Sequence, residues 1–196
     1  MFKLGYSIDD TVEINGETYE LDMSFDNILR FYEMMNDKEL SNFEQIHTGM
    51  YMLFSREFDY DIQTLHDILK EVVEKKLVPE DSNNKLVDIT GKEMDVSKLK
   101  PRISEDDEED KKIYDLVQDA QYIYASFMQD YGMDLFEQHG KLHWYKFQAL
   151  LNGLSDETKF KKVIEIRTMK LPTGKGTSNQ REEIKKMKKI YALKPE

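Results

Sequence analysis

Residues 113–154 constrain this chain more than any other stretch, because they carry more ring and aliphatic surface than one buried face on each of two helices can take. Ile113, Leu116, Val117, Ala120, Ile123, Tyr124, Phe127 and Tyr131 recur at i, i+3, i+4 and i+7, the spacing of a single apolar stripe. Tyr114, Tyr122, Ala125 and Met128 fall off that stripe. The pattern predicts a helix over 111–131, stopped by Gly132, with apolar contact on two of its sides. A second helix is expected over 141–152 with Gly153 as its stop, and it is denser still, with Leu142, Trp144, Tyr145, Phe147, Leu150 and Leu151. The interior is the ordinary place for any one ring. The surplus beyond one stripe is what argues for contact with another protein, and it makes Tyr122, Tyr124, Phe127, Met128, Tyr131, Trp144, Tyr145 and Phe147 the candidate protein-binding residues.

Upstream the periodicity changes twice. Residues 11–21 alternate apolar and polar around Asn15-Gly16, the pair that best accepts the positive φ angles of a two-residue hairpin turn. Phe25, Ile28, Leu29, Tyr32 and Met35 then follow helical spacing behind Ser24 as N-cap. Ser41 and Glu44 have the spacing of a capping box, ahead of Phe43, Ile46, Met50, Leu53 and Phe54. Ile62, Leu65, Ile68, Leu69, Val72 and Val73 make a third helix, ending before Pro79. Residues 1–78 therefore read as a β-hairpin followed by three helices. Residues 79–110 hold Pro79, Gly91, Pro101 and the acid run at 105–110 with few large apolar side chains, the texture of a linker or extended arm, with a weak strand pair about Thr90-Gly91. Residues 111–196 form a helical module. Ser155 is placed to cap a helix carrying Phe160, Val163, Ile164 and Arg167, and Asn179 to cap a last helix with Ile184, Met187, Ile190 and Tyr191. The fold class is α+β, mainly α-helical.

Charge is divided along the chain. Residues 1–158 carry 16 Lys+Arg against 35 Asp+Glu, a net −19, and residues 159–196 carry 12 against 4, a net +8. Lys185, Lys186, Lys188 and Lys189 form the basic patch of this end. Such a patch can be solvated surface, can dock on acidic parts of the same or a neighbouring subunit, or can hold nucleic acid, which the acidic body disfavours. The chain has no cysteine, so it has no disulfide framework, thiol nucleophile or cysteine-ligated metal. The opening residues lack the apolar core of a signal peptide, and no apolar run is long enough to span a membrane. A cytoplasmic protein is expected.

Catalytic and cofactor motifs are weak. Residues 173–177, Thr-Gly-Lys-Gly-Thr, lack the earlier glycine and the leading strand of a phosphate loop, since position 169 is Met. His139 and His143 are four apart, but Gly140 stands between them and no third metal ligand has suitable spacing. The acid run lacks the alternating ligands of a calcium loop. Neither enzyme, cofactor nor metal is expected.

Residues 114–193 carry a resemblance, above all residues 119–135 (DAQYIYASFMQDYGMDL), residues 142–154 (LHWYKFQALLNGL), Thr158-Lys159-Phe160 and residues 186–193 (KMKKIYAL). They are similar to a family encoded by long-tailed bacteriophages and prophages of Gram-positive bacteria. Residues 21–29 match it more loosely. Genes of that family lie just before the gene for the tape measure protein, and the family is read as a tail assembly chaperone. The resemblance implies a non-enzymatic protein of the host cytoplasm that binds the tape measure protein and keeps it soluble while tail tube subunits polymerise around it. It implies the tail tube protein as a further partner and self-association of the chain. The alternatives are a structural tail component retained in the virion and a nucleic-acid-binding protein using the basic C-terminal helix.

Overall fold

The computed structural model describes residues 4–77, 113–173 and 177–194. The expected linker at 79–110, with its strand pair and acid run, lies outside these residues. Among them, residues 4–77 and His139–Phe147 form one compact unit, and residues 113–138 and 148–194, apart from 174–176, form another.

In the first unit Asn15 and Gly16 adopt φ of 53° and 83°. These left-handed angles turn strand β1 (Thr11–Ile14) into β2 (Glu17–Glu20), antiparallel, with Ile14 opposite Glu17. Edge-on contacts of the Tyr19 ring with Phe54 and Phe58, and a hydrogen bond from Asp22 N to Leu53 O at 2.8 Å, fasten the hairpin to the end of the second helix. Helix α1 (Phe25–Asn36) buries Phe25, Asn27, Ile28 and Phe31. Ser24 stands at its N-cap as expected, but its hydroxyl donates to Asp22 instead of capping the helix. Asn27 spends its amide on the carbonyls of Asp22 and Met52, which fixes α1 against the same helix end.

Helix α2 (Asn42–Phe54) starts with the expected capping box. The Ser41 hydroxyl oxygen accepts from Glu44 N, and the Glu44 carboxylate accepts from Ser41 N and Oγ. Helix α3 (Ile62–Val72) starts on Asp61, whose carboxylate accepts from Gln63 N and Thr64 N, and it continues as one π-helical turn, Val73–Leu77. Hydroxyl bonds first, from Ser41 to Glu44 and from Thr64 to Asp61, and then the backbone amides hold both capping carboxyls below their ordinary pKa range. The expected apolar stripes are buried at Ile46, Met50, Leu53, Phe54, Leu65, Leu69, Val72 and Val73. Phe43 and Ile62 are corrections, at 59% and 41% exposed. Each sits in the first turn of its helix, and Phe43 stacks outside on His47 at 4.3 Å.

Residues 139–147 complete this core. Phe25 N donates to Leu142 O at 2.9 Å, Trp144 N donates to Met23 O at 2.7 Å, and Ser24 bridges to His143. Behind that pairing Phe25 stacks on Phe147 at 5.0 Å, and Phe147 stacks on Trp144 at 5.7 Å. His143 also starts helix α5 (Trp144–Asn152): its Nδ1 accepts from Tyr145 N at 3.0 Å, while its Nε2 lies 2.9 Å from Asp10 Oδ1. With Nδ1 accepting, Nε2 carries the proton and donates to the carboxylate. The expected start at 141 is moved to 144 because residues 142–144 are used in this backbone pairing. Residues 148–152 of α5 belong to the second unit.

The second unit holds α4 (Ala120–Tyr131), a 3-10 turn (Phe136–Gln138), α6 (Lys159–Thr168) and α7 (Ser178–Ile190). Helix α4 begins at 120, not 111. The Asp115 carboxylate accepts from Val117 N and Gln118 N, which satisfies these amides in a turn and gives residues 113–119 an alternative to the helix. Thr158, not Ser155, caps α6, with its hydroxyl oxygen facing Lys161 N, and Ser155 is held instead by Asp130. Helix α7 begins one residue before the expected cap at Asn179, with Thr177 in the cap position.

The first three helices pack tightly at Gly49, where a Cβ would lie 3.0 Å from Phe31 Cε2 and 3.2 Å from Leu69 Cδ2. Both neighbours are buried and cannot give way. Alanine gains about 1 kcal/mol of helix propensity, yet Gly49→Ala should lower stability by about 1 kcal/mol and Gly49→Leu by about 3 kcal/mol or more. Urea unfolding followed by fluorescence of Trp144, the single tryptophan, in the same unit, measures both.

Candidate protein interface

Three of the eight candidate residues are not surface at all. Phe127, Trp144 and Phe147 are buried: Phe127 faces inward on α4 beside Ile123 and Ser126, and the other two form the stack on Phe25. Phe127 lies in the core of the second unit, and Trp144 and Phe147 lie in that of the first. The Trp144 Nε1 is a buried donor with no partner among the described residues. Tyr145 is half-buried in the first unit, its hydroxyl donating to Lys76 O.

The remaining candidates sit on α4. Tyr122 turns to the C-terminal tail, its ring 6.1 Å from that of Tyr191, with Lys159 Nζ 4.6 Å above Tyr191 and donating to its hydroxyl. Tyr131 is partly exposed, edge-on to Phe127, and its hydroxyl donates to Leu150 O at 2.8 Å. Tyr124 and Met128 lie on the side of α4 away from Tyr122. Tyr124 packs at 5.4 Å against Phe136, which is 71% exposed, and its hydroxyl donates to Asp134. Partial burial, then the bond to Asp134 and the charges of Asp134 and Glu137, raise this hydroxyl above its ordinary pKa. Tyr124, Met128 and Phe136 thus form an apolar patch with an acidic rim. Sequence periodicity missed Phe136 because it lies past the helix, in a turn set by Asp134, whose carboxylate accepts from Phe136 N at 2.9 Å. Its signal was the pair Leu135-Phe136, of which only Leu135 is buried.

A polar clasp fixes α4 in place. Arg167 on α6 donates through Nη1 and Nη2 to the two carboxylate oxygens of Asp119, at 2.6 and 2.7 Å, with Asp119 buried and Arg167 nearly so. The same guanidinium donates to Ile113 O and Tyr191 O, and Asp119 also accepts from Asp115 N. One side chain therefore joins the lead-in to α4, α4 itself and the C-terminal tail. Ser126 adds a second tie, donating to Tyr122 O and accepting from Phe160 N.

The basic patch is only partly available. Lys188 donates to Arg167 O and Lys185 pairs with Glu182, whereas Lys186 and Lys189 are exposed. Helix α7 has no buried residue, and Ile190 is 73% exposed.

In the first unit a groove of about 270 Å³ lies between α2 and α3. Met35, Ile46, Ile62, Leu69 and Val73 give it an apolar floor, and Gln45, Gln63, His66 and Lys70 are among its polar rim. The exposed Ile62 that departed from the expected core stands at this groove. Among the described residues no group of three or more acidic, histidine or cysteine side chains could hold a metal, and no helix is long and apolar enough to cross a membrane. His139 packs on Phe25, and His143 is engaged by Asp10.

These features define a mainly helical α+β protein whose distinctive surfaces are apolar grooves and patches. The family model described as Bacteriophage Gp15 protein matches residues 7–193, and the chain belongs to that bacteriophage protein family. No curated protein and no solved structure matches it.

Removing the clasp while leaving Asp119 in place strands a buried carboxylate. Arg167→Met should therefore cost about 3–5 kcal/mol. Asp119→Asn combined with Arg167→Met should recover part of that loss. Denaturant melts followed by far-UV circular dichroism compare the two.

Proposed function

We propose that this protein is a tail assembly chaperone, which binds the tape measure protein and keeps it soluble in the host cytoplasm until tail tube subunits enclose it. The observation that carries the reading is the groove between α2 and α3, taken with membership of a bacteriophage family. A long amphipathic helix exposes a stripe of apolar side chains at i, i+3, i+4 and i+7, and it aggregates through that stripe when unpartnered. A groove with an apolar floor of Met35, Ile46, Ile62, Leu69 and Val73 accepts two or three such side chains, in the helix-in-groove mode. Its rim amides and Lys70 suit the polar flanks of the same helix. A contact this small is weak in each copy, so many copies cover a rod-like client cooperatively and still leave it when the tail tube protein competes for the same surface.

No covalent step is needed. Sequestration needs only that bound client be more soluble than free client, and release needs only a stronger competitor. Tyr145, Tyr122 and Tyr131, each hydrogen-bonded or packed within its own unit, serve the framework in this reading.

The test is co-expression with the candidate client. Wild-type protein should hold the client in the soluble fraction, and Ile62→Lys, a change at an exposed groove position, should return most of it to the pellet with an unchanged thermal melt. A client equally soluble with both, or the chain present in abundance in purified mature particles, would contradict the reading.

A further inference from the structure

We propose that the outward face of α7 on one copy docks on the Tyr124–Met128–Phe136 patch of the next copy, joining chains head to tail. On α7, Ile184, Lys188 and Tyr191 are half-buried and one helix face apart at i, i+4 and i+7, so they turn toward the chain's own α6. Lys186, Met187 and Ile190, at i, i+1 and i+4, share the opposite edge and are exposed, with Lys189 beside them. The result is a short apolar ridge flanked by ammonium groups. The patch on α4 is its complement: Met128 at 42% and Phe136 at 71% exposure, with Asp134 and Glu137 beside the Tyr124 hydroxyl at its edge. Apolar area meets apolar area, and the carboxylates of Asp134 and Glu137 meet the exposed ammonium groups of Lys186 and Lys189.

The two surfaces cannot satisfy each other within one chain. Tyr122 packs against Tyr191 at the end of α7, and Tyr124 lies two residues further along α4, about 200° around the helix. The patch therefore faces away from the side that holds the tail. Two different faces on one unit make a heterologous contact, which leaves a free donor and a free acceptor at the ends of every oligomer. Both patches are small, so the contact belongs to the weak, salt-sensitive class. The client groove lies in the other unit and takes no part, so this inference stands apart from the chaperone reading.

Sedimentation of the full chain between about 5 and 200 µM tests it, at about 50 mM and about 500 mM salt. The wild-type mass should climb above the 23.3 kDa of one chain with concentration at low salt and fall back at high salt. Met128→Lys and Ile190→Glu should each weaken association by about ten-fold or more. An equimolar mixture of these two variants keeps one working face of each kind, so it should form pairs and nothing larger. Glu137→Lys and Lys186→Glu, both at exposed positions, repeat the test without touching apolar packing. A wild-type chain that stays monomeric throughout, variants that associate like wild type, or a mixture that grows beyond pairs would each overturn the proposal. So would loss of client solubility in Met128→Lys with self-association intact, which would assign the patch to the client, or salt-sensitive retention of nucleic acid by a monomeric chain through Lys186 and Lys189.

Discussion

The return of residues 139–147 to pair with residues 23–25 is the interaction on which the first unit depends. Without it α1 would show Phe25 to water, and the stack of Phe25, Phe147 and Trp144 would not exist. The pairing is two backbone hydrogen bonds and a bridge, so its specificity comes from register, and its strength comes from the rings it brings behind the backbone. The Asp10–His143 contact and the Tyr145 hydroxyl bond to Lys76 O add polar ties from the hairpin and from the end of the π-helical turn. The buried Trp144 Nε1, without a partner among the described residues, is a cost that this packing outweighs.

In the second unit the organising element is polar. Arg167 is a single cation that satisfies one carboxylate and two carbonyls, and it reaches the lead-in to α4, the start of α4 and the C-terminal tail. The C-terminal tail is held in this way and by Gln118, which exchanges hydrogen bonds with Lys194, while α7 buries nothing of its own. A helix tethered at one end and by one face leaves its other face exposed. Helix α4 shows the same economy, with Ile123, Ser126 and Phe127 committed to the interior and Met128 left outside.

Much of the fold was legible from local chemistry. Asn15-Gly16 determined the hairpin, Ser41 and Glu44 the start of α2, and Gly132 the stop of α4, because each device acts within a few residues. Periodicity also placed the apolar faces of α1, α2 and α3. It could not say what covers a face. Trp144 and Phe147 looked like surplus because their cover, Phe25, lies far away in the chain, and α4 looked longer because Asp115 and Asp119 spend their carboxylates on turn amides and on Arg167. Phe136 and the groove at Ile62 were hidden for the complementary reason. A ring in a turn and a first-turn isoleucine carry no periodic signal of exposure.

The chain thus divides a dense supply of rings between two cores and leaves a limited remainder exposed. Amide hydrogen exchange tests the central element of that account most directly. The amides of Phe25 and Trp144, bonded to Leu142 O and Met23 O, should exchange as slowly as the interior amides of α1 and lose protection at the same denaturant concentration. Fast exchange of both, at the rate of an open loop while α1, α2 and α3 stay protected, would contradict it.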